Sequence, residues 1–572
     1  MGDHPLMNPV MDGADDLPDT GIPPAVAAGM TMAERHDWHR EYLRSRPVSR
    51  RSFLGGAAAA TAVAALGAAP FGPRAYALDA PLTVANRRVG YGADAATQLR
   101  MSAQLSRNPK AGKVFLDHGP TAELGATVQA EVRNLVTQIP DGRGGVLAAE
   151  QFYVHVPVDG LAPAAAHHYR WRTDDGFVSD VRTASTAMPR SRAATDPFRF
   201  TMIGDQGTDQ TPALPPGLIR GDYDDSYYQP DNHPDVPHAA NVLNQIIAAR
   251  PDFHVLAGDI AYADPSGLGK PAAFVGPGGT LPAGFDKFNP FVWDVYLGSI
   301  EPSASSTPWM FATGNHDMEA AYGTHGYGGH LARLDFPGNG PANCPSVYSF
   351  SYGNVAVLSL DANDVSYEIT ANTGYSGGAQ TGWAQRTLAG YRADPAIDFI
   401  VCFFHHCAYS TTDAHASDGG VRAAWCALFD RYRVDLVLQG HNHVFERTDP
   451  IRAGVPTRAA LDNDVVYPET DGTVYYTVGC GGRPRYGFQP GELESYRGNV
   501  LADTSVPNSY VWTAGGAKQQ EAVGWSRVRF RNYAFLRVDV RPGVLVSEMD
   551  VVAVDEYGRE FDRLTYRRPV RA

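Results

Sequence analysis

Apolar and polar residues follow two different patterns along this chain. From about residue 82 to residue 192, they alternate over short stretches, such as residues 152–156 and 168–172, and Gly and Pro separate these stretches. Alternation with a period of two is typical of strands that bury one face. The first part of the chain therefore predicts a β-sandwich of about 100 residues.

From residue 198 the chain instead contains short, mostly apolar runs, several of which end in Gly followed by a polar residue. The runs predict strands at residues 198–203, 253–257, 309–312, 355–359, 399–404 and 436–438. Helices are predicted near residues 242–249, 289–298, 381–392 and 421–432. Strands that alternate with helices indicate an α/β sheet with its functional site at the carboxyl ends of the strands.

After residue 447 the strand pattern returns, at residues 473–478, 533–540 and 544–552. We expect these strands to complete a second sheet packed on the first. Residues 208–237 and 482–525 have no periodicity and are interpreted as loops.

Length, charge and cysteine content narrow the possible functions. A chain of 572 residues is too long for one hydrophobic core, so two or three domains are expected. Because the net charge is −14, no global basic field attracts nucleic acid, and no nucleic-acid partner is expected. The five cysteines have no metal-finger spacing, and one disulfide between unspecified partners is possible.

The N-terminal segment has the features of an export signal. Arg50 and Arg51 precede an uncharged run rich in Ala and Gly, and Ala75-Tyr76-Ala77 offers small residues for cleavage. This pattern resembles a twin-arginine signal peptide, which implies the twin-arginine export machinery as a partner and a secreted or cell-wall location. Because the run is poor in Leu and Ile, no stable membrane anchor is expected. A basic, low-complexity tail is the alternative interpretation.

Five motifs carry the candidate chemistry, in the order Gly-Asp-Gln-Gly (204–207), Gly-Asp-Ile-Ala-Tyr (258–262), Gly-Asn-His-Asp (314–317), His-His (405–406) and Gly-His-Asn-His (440–443). A single Asp after a strand is more often a turn former or a helix cap than a ligand. In the last motif, however, His441 and His443 project to the same face of an extended segment. The combined motifs supply enough ligands for two metal ions that share one carboxylate. Two-metal sites favour in-line displacement at phosphorus, so the sequence predicts a metal-dependent phosphoester hydrolase.

The order of the motifs resembles that of the purple acid phosphatases, here of the exported bacterial type, in the calcineurin-like metallophosphoesterase superfamily. The resemblance extends from about residue 82 to the end of the chain. It implies an N-terminal fibronectin type III-like β-sandwich, followed by a metallophosphoesterase α/β sandwich of two mixed sheets flanked by helices. We therefore assign residues 1–77 to a leader with the signal peptide, residues 78–192 to the β-sandwich and residues 193–572 to the dinuclear catalytic domain.

The resemblance also implies an activity and a set of metal ligands. The activity is hydrolysis of small-molecule phosphate monoesters by attack of a metal-bound hydroxide. One metal site contains Asp205, Tyr262 and His443, the other contains Asn315, His405 and His441, and Asp259 bridges both. Fe(III) is expected in the Tyr262 site, because a phenolate is a hard anionic ligand, and Zn, Fe(II) or Mn(II) is expected in the Asn315 site.

Two histidines outside the ligand set have catalytic roles in this resemblance. His316 would contact the phosphoryl oxygens, and His415 would act as general acid or as transition-state stabiliser at the leaving group. The chain departs from the family at His406 and Cys407, where the family has a small residue and a Pro. The family pattern therefore does not predict the backbone path of that loop.

Several alternatives remain at this point. A phosphodiesterase or a phytase could use the same scaffold, and the loops at residues 208–237 and 264–288 would decide between them. An exported alkaline phosphodiesterase family ranks lower because it lacks the Gly-Asn-His-Asp motif. A non-catalytic surface binding protein would be indicated by missing ligands, and none of the predicted ligands is missing.

Overall fold

The computed structural model describes residues 81–140, 146–210, 212, 236–264, 267, 289–319, 322–412, 414–488 and 508–571. The leader predicted for residues 1–77 lies outside the described residues. So does most of each loop predicted for residues 208–237 and 264–288.

Where the structure describes the first part of the chain, it contains eight strands: β1 (Val84–Tyr91), β2 (Leu99–Leu105), β3 (Val114–Gly119), β4 (Ala126–Gln129), β5 (Glu131–Pro140), β6 (Val146–Val158), β7 (Ala166–Thr173) and β8 (Arg182–Ser185). They form two antiparallel sheets, in the orders β1-β2-β6-β5 and β4-β3-β7-β8. Alternate residues of both sheets are buried in one apolar cluster, among them Leu99 and Met101 on β2 and Trp171 on β7. The fibronectin type III assignment and the boundaries at residues 78 and 192 stay predictions.

The remaining strands are β9 (Phe198–Ile203), β10 (Phe253–Leu256), β11 (Trp309–Phe311), β12 (Tyr348–Tyr352), β13 (Val355–Ser359), β14 (Phe399–Phe404), β15 (Ser417–Asp418), β16 (Leu436–Gln439), β17 (Phe445–Thr448), β18 (Ile451–Arg452), β19 (Val455–Pro456), β20 (Asp464–Val466), β21 (Val474–Val478), β22 (Asn508–Trp512), β23 (Lys518–Ala522), β24 (Ser526–Phe530), β25 (Ala534–Arg541), β26 (Val546–Asp555) and β27 (Glu560–Pro569). Sheet 1 has the order β11-β10-β9-β25-β26-β27-β20, and sheet 2 has the order β12-β13-β14-β16-β21-β17-β24. Both sheets are mixed, as expected, because each combines parallel and antiparallel pairs.

Among the described residues, the α-helices are α1 (His238–Ala249), α2 (Val292–Ala304), α3 (Gly328–Arg333), α4 (Ala379–Ala393), α5 (Gly419–Val421) and, after a π-helical turn at Arg422–Cys426, α6 (Ala427–Tyr432). Helices α1 and α2 pack on the outer face of sheet 1, and α4 and α6 pack on the outer face of sheet 2. Within the described residues, none of the helices combines the length and the apolar character needed to cross a lipid bilayer.

Side-chain alternation explains why the two sheets pack face to face. On β14, Val401 and Phe403 enter the apolar cluster between the sheets, whereas Ile400, Cys402 and Phe404 enter the cluster beneath the helices of sheet 2. Successive side chains of a strand point to opposite faces, so a fully apolar strand must be covered on both sides. The result is a layered α/β sandwich, which confirms the predicted fold of the catalytic domain.

The distribution of strands between the sheets differs from the prediction. The strands predicted to form one sheet are divided, because β9, β10 and β11 lie in sheet 1 and β13, β14 and β16 lie in sheet 2. Strands β25 and β26, which were expected in the second sheet, follow β9 in sheet 1. The interpretation of residues 482–525 as a loop is also wrong in part, because β22 and β23 form a hairpin that joins β15.

A buried ion pair joins the two sheets just after the last motif. The Arg447 guanidinium on β17 donates hydrogen bonds of 2.6 and 2.8 Å to the Asp562 carboxylate on β27, and both side chains are at most 1% exposed. Removing one partner of such a pair leaves a buried charge uncompensated.

We expect Arg447→Met to lower the free energy of unfolding by about 3–5 kcal/mol in a urea titration, because Asp562 loses its counter-charge. The double variant Arg447→Met/Asp562→Leu should regain most of the lost free energy of unfolding, since apolar residues of similar volume can replace a buried ion pair. A single-variant loss as small as that of an exposed pair, about 1 kcal/mol or less, would contradict this role.

Candidate metal centre

The carboxyl ends of five strands meet at one edge of the two packed sheets. Sheet 1 contributes β9, which leads to Asp205, β10, which leads to Asp259, and β11, which leads to Asn315. Sheet 2 contributes β14, which leads to His405, and β16, which leads to His441. Residues that are up to about 240 positions apart in sequence therefore lie side by side, as expected for sites at the ends of parallel strands.

Two motif glycines allow the strand ends to approach closely. A Cβ atom on Gly314 would lie 2.1 Å from Asp259 Oδ1, and a Cβ atom on Gly258 would lie 2.6 Å from the Gly314 nitrogen. Neither position has space for a side chain. The glycines of the Gly-Asp and Gly-Asn motifs are thus required by the close packing of the loops after β10 and β11.

Four of the seven predicted ligands have a left-handed backbone. The φ angle is 55° at Asp205, 50° at Asp259, 60° at Tyr262 and 68° at His441. Residues other than Gly rarely adopt this conformation, and it costs of order 1–3 kcal/mol when the surroundings impose it. The fold therefore holds these side chains in directions that an unconstrained chain disfavours.

The first group of predicted metal ligands consists of Asp205, Tyr262 and His443. The Tyr262 hydroxyl lies 3.0 Å from Asp205 Oδ1 and 3.0 Å from His443 Nε2, and those two acceptors are 3.4 Å apart. Burial, followed by the Asp205 carboxylate, raises the pKa of Tyr262 well above its ordinary value. The Arg483 guanidinium, 3.9 Å from the ring centre of Tyr262, opposes this rise. A phenolate at this position therefore requires a further cation.

His405, Asp259, Asn315 and His441 form the second group. The Nε2 atom of His405 lies 3.1 Å from Asn315 Oδ1, 3.2 Å from Asp259 Oδ2 and 3.2 Å from His441 Nδ1. The same atom is 4.0 Å from Asp205 Oδ1, which belongs to the first group. The structure thus brings all seven predicted ligands into one continuous cluster.

Backbone carbonyls orient two of the histidines. The Nδ1 atom of His405 lies 2.8 Å from the Ala257 oxygen, and Nδ1 of His443 lies 2.7 Å from the Pro484 oxygen. A carbonyl only accepts, so these Nδ1 atoms carry the protons and the Nε2 atoms present lone pairs to the cluster. Histidines that bind metals commonly have their second nitrogen held in this way.

Hydrogen-bond acceptors also orient Asn315 and His441. The Asn315 amide nitrogen donates to the Gly267 oxygen at 3.1 Å, which leaves its Oδ1 facing the cluster. The Nε2 atom of His441 donates to Glu368 Oε2 at 3.0 Å, which leaves its Nδ1 lone pair facing the cluster. Both assignments follow from the hydrogen-bond partners, since a carbonyl and a carboxylate are acceptors.

When its imidazoles are neutral, the second group therefore presents only lone pairs to its centre. Lone pairs at 3.1–3.2 Å repel one another unless a cation lies between them. Burial alone would lower the pKa of His405, but the carboxylates of Asp259 and Asp205 outweigh it and raise the pKa to about 9. A proton on Nε2 is thus one cation that relieves the repulsion, and a metal ion bound by these atoms is another. The donor set fits a metal.

His316, one of the two predicted catalytic residues, lies beside the second group. Its Nδ1 atom donates to the Asp264 oxygen at 2.7 Å, and its Nε2 atom is 3.9 Å from Asp259 Oδ2. The side chain is 16% exposed, so a ligand can reach it. Burial lowers the pKa of His316, although Asp259 opposes the change. Its neighbour Asp317 caps the turn by accepting backbone N–H groups.

His415, the other predicted catalytic residue, is joined to the cluster by two residues that the sequence analysis missed. Its Nδ1 atom lies 2.6 Å from Glu368 Oε1, and its Nε2 atom lies 3.2 Å from the Tyr486 hydroxyl. The ring of Tyr486 stacks on that of His443 at 4.0 Å, and the ring of His415 lies 4.1 Å from that of His441. The Gly-Cys-Gly-Gly run at residues 479–482 could have indicated Tyr486, but no sequence signal indicated Glu368.

The residues where the chain departs from the family pattern contribute no donor to the cluster. The ring of His406 lies 4.4 Å from that of His441, and both of its nitrogens are buried without a hydrogen-bond partner among the described residues. Burial lowers the pKa of His406 well below its ordinary value, so it packs as a neutral ring. Cys407 donates from Sγ to the Gly440 oxygen at 2.9 Å. All five cysteines lie among the described residues, and none of them forms a disulfide.

Comparisons with known proteins show what this chain is similar to. The family described as calcineurin-like phosphoesterase matches residues 201–445, and the twin-arginine translocation pathway signal sequence matches residues 47–67. A Mycobacterium tuberculosis protein named only as uncharacterized is 32% identical over 528 residues, which cover 87% of this chain and 90% of that protein. Purple acid phosphatase 23 of Arabidopsis thaliana is 25% identical over 336 residues, 57% of this chain and 62% of that protein.

A solved structure supports the fold as well. The purple acid phosphatase PPD1 from yellow lupin (Lupinus luteus) seeds superposes with a TM-score of 0.58, at 19% identity, over 85% of this chain and 74% of that chain. At this level of identity the similarity shows the fold alone.

Proposed function

We propose, since this chain belongs to the calcineurin-like phosphoesterase family and has purple acid phosphatases among its homologues, that it hydrolyses phosphate monoesters at a dinuclear metal centre. The family makes the protein a metal-dependent phosphoester hydrolase, and its purple acid phosphatase relatives imply a dinuclear centre. The predicted export through the twin-arginine pathway is confirmed by the match at residues 47–67. The monoester substrate, the ligands and the mechanism are the proposal.

One observation carries the proposal. Once His405 Nε2 gives up the proton that Asp259 and Asp205 favour, the facing atoms of His405, Asp259, Asn315 and His441 present only lone pairs, next to the group formed around Tyr262. This arrangement favours bound cations and supports an active enzyme over a non-catalytic binding protein.

We assign the ligands as the sequence predicts. Asp205, Tyr262 and His443 would hold Fe(III), because carboxylate and phenolate oxygens are hard ligands. Asn315, His405 and His441 would hold Zn, Fe(II) or Mn(II), and the Asp259 carboxylate would serve both ions. These seven residues are at most 4% exposed, so little bulk water reaches their ligand atoms.

The residues around the centre would bind and orient the substrate. Two bound metal ions would supply Lewis-acid polarisation of the phosphoryl oxygens and would lower the pKa of a water molecule. His316, whose Nδ1 is held by the Asp264 backbone oxygen and whose Nε2 lies 3.9 Å from Asp259 Oδ2, would contact a phosphoryl oxygen through Nε2. His415 would give a proton to the leaving oxygen from Nε2, the nitrogen that Glu368 does not contact.

A comparison of substrates tests the proposed function. The purified protein is assayed with 4-nitrophenyl phosphate, bis(4-nitrophenyl) phosphate and inositol hexakisphosphate. We expect the highest kcat/KM with the monoester. A higher value with the diester would replace the proposal with a phosphodiesterase, and a higher value with inositol hexakisphosphate would replace it with a phytase.

We expect Asn315→Ala to lower the occupancy of one of the two metal ions and to reduce kcat by about 10- to 100-fold, as losses around a metal site commonly do. The reason is that the Asn315 amide oxygen is the only neutral oxygen donor in the second group. Metal analysis and steady-state kinetics on the same sample measure the two effects. Asn339→Ala, which removes an amide that bonds to the Ser349 backbone, is the control. Full metal content with unchanged turnover would contradict the assignment of Asn315.

A further inference from the structure

Glu368 connects the candidate metal centre to the residue assigned to the leaving group. It lies in the loop after β13, where no motif was recognised. One carboxylate oxygen, Oε2, accepts from His441 Nε2 at 3.0 Å, and the other, Oε1, accepts from His415 Nδ1 at 2.6 Å. The Glu368 side chain is 7% exposed, so water competes little for either oxygen.

The loop holds Glu368 in place before any ligand binds. The carboxylate of Asp418 accepts hydrogen bonds from the Ser366 hydroxyl and from the backbone nitrogens of Tyr367 and Glu368. Asp418 also caps the start of α5, immediately after the segment that carries His415. One buried carboxylate thus fixes the backbone on both sides of the Glu368–His415 contact.

The two contacts determine which nitrogen of each ring is available. Because Glu368 accepts from Nε2 of His441, the Nδ1 lone pair of that ring faces the metal ligands. Because Glu368 accepts from Nδ1 of His415, the Nε2 atom of that ring is the one that can exchange a proton with a substrate. The same carboxylate therefore sets both rings, and it keeps them 4.1 Å apart, centre to centre.

A third metal ion is the other arrangement that these atoms could serve, since donor atoms of Glu368, His415 and His441 lie within 4.8 Å of one another. It would require His441 to bind metals through both nitrogens, and therefore to lose its last proton. The hydrogen-bonded arrangement needs no such loss, and the observed contacts favour it.

We propose that Glu368 is a positioning residue that holds the leaving-group histidine, His415, in register with the metal ligand His441. The inference rests on the proposed function and adds a residue to it. As the phosphorus–oxygen bond of the ester breaks, the proton on His415 Nε2 passes to the departing oxygen. Water supplies the oxygen that replaces it on phosphorus, and His415 regains a proton from the solvent. Glu368 holds Nδ1 throughout, and the departing oxygen takes the place of the Tyr486 hydroxyl that lies 3.2 Å from Nε2.

Dependence on the leaving group provides the first test. Phenolate is a poor leaving group that needs a proton, whereas 4-nitrophenolate leaves readily as an anion. With both metals saturating, we expect Glu368→Gln to reduce kcat about 10²-fold on phenyl phosphate, the scale of general acid catalysis, and less than about 10-fold on 4-nitrophenyl phosphate. Adding Glu368→Gln to His415→Ala should cause no further loss on phenyl phosphate, because the two residues act as one unit.

Metal release provides a second test that does not depend on turnover. After transfer into excess chelator, Glu368→Gln should lose one metal ion about 10-fold faster than the wild type, because its amide offers one acceptor oxygen to two N–H groups and so weakens the hold on His441. His415→Ala should release metal at the wild-type rate, since Glu368 still holds His441. Glu560→Gln, which removes a carboxylate paired with Arg537 at the surface, is the control for both tests.

The outcomes separate the two proposals. The role of Glu368 would be overturned if Glu368→Gln reduced kcat equally on both substrates or if its effect were fully additive with that of His415→Ala. Unchanged metal release in Glu368→Gln, or three metal ions per wild-type chain, would also overturn it. If the wild type hydrolyses neither ester, the proposed function fails, and metal release still decides whether Glu368 orients His441. Should Glu368→Gln not fold, Glu368→Asp, whose shorter side chain cannot span both rings, takes its place.

Discussion

Asp259→Asn is expected to reduce kcat on a phosphate monoester by about 10³-fold or more, because one substitution removes the only charge that both metal sites would share. In the structure, Asp259 Oδ1 accepts from the backbone nitrogen of His316 at 2.9 Å, and Oδ2 lies 3.2 Å from His405 Nε2. An amide has one neutral oxygen, and its NH₂ group replaces the other oxygen. Neither atom then carries the negative charge that both metal ions would share. Metal analysis should show a loss at both sites.

Asp317→Asn is the matched control for this prediction. Asp317 is a buried carboxyl in the adjacent turn, and burial together with the charge of Asp259 raises its pKa well above the ordinary value. The variant loses one of the two oxygens that accept from the Ile260 and Gly314 nitrogens, which lowers stability, but it loses no predicted ligand, so it should keep both metals and most of its activity. Two metal ions and near-wild-type turnover in Asp259→Asn would show that this carboxylate does not bridge.

Tyr262→Phe should abolish the visible absorption band of the iron-loaded protein and reduce kcat by about 10-fold or more. The band is expected because charge transfer from a phenolate to Fe(III) absorbs visible light and gives a purple solution. The substitution removes a single oxygen, 3.0 Å from both Asp205 Oδ1 and His443 Nε2. The ring can still pack against Arg483, so the fold should be retained.

Tyr486→Phe tests the same prediction from the neighbouring ring. Tyr486 is half-buried beside the same cluster and stacks on His443, but its hydroxyl contacts His415 instead of Asp205. We expect its variant to keep the band. A band that survives in Tyr262→Phe and disappears in Tyr486→Phe would move the phenolate assignment to Tyr486. A colourless wild type with two metals bound would rule out Fe(III) at this site.

The ends of the strands were predictable because their signal is local. An apolar run in a sandwich is buried on both faces, and it must stop where a polar side chain needs partners. For this reason Asp205, Asp259, Asn315 and His405 were placed correctly after their strands, and the mixed α/β sandwich is confirmed. Their role as ligands stays a prediction, as do the domain boundaries.

Strand pairing was not predictable in the same way. Apolar runs report that a strand is buried but not which strand lies beside it, because pairing joins segments far apart in the chain. This is why β25 was expected in the second sheet, although it pairs with β9 more than 330 residues earlier. Glu368 was missed for a related reason, since its partners His415 and His441 are 47 and 73 residues away.

The order of the motifs and the export signal follow from the sequence by itself, and with them the metal-dependent phosphoester hydrolase. The tertiary structure alone decided which nitrogen of each histidine faces the cluster, which ligands adopt a left-handed backbone and how Glu368 joins His415 to His441. The physical reason is that residue type and burial are encoded in short stretches of chain. The direction of a lone pair depends on a partner that only the folded chain brings within hydrogen-bond distance.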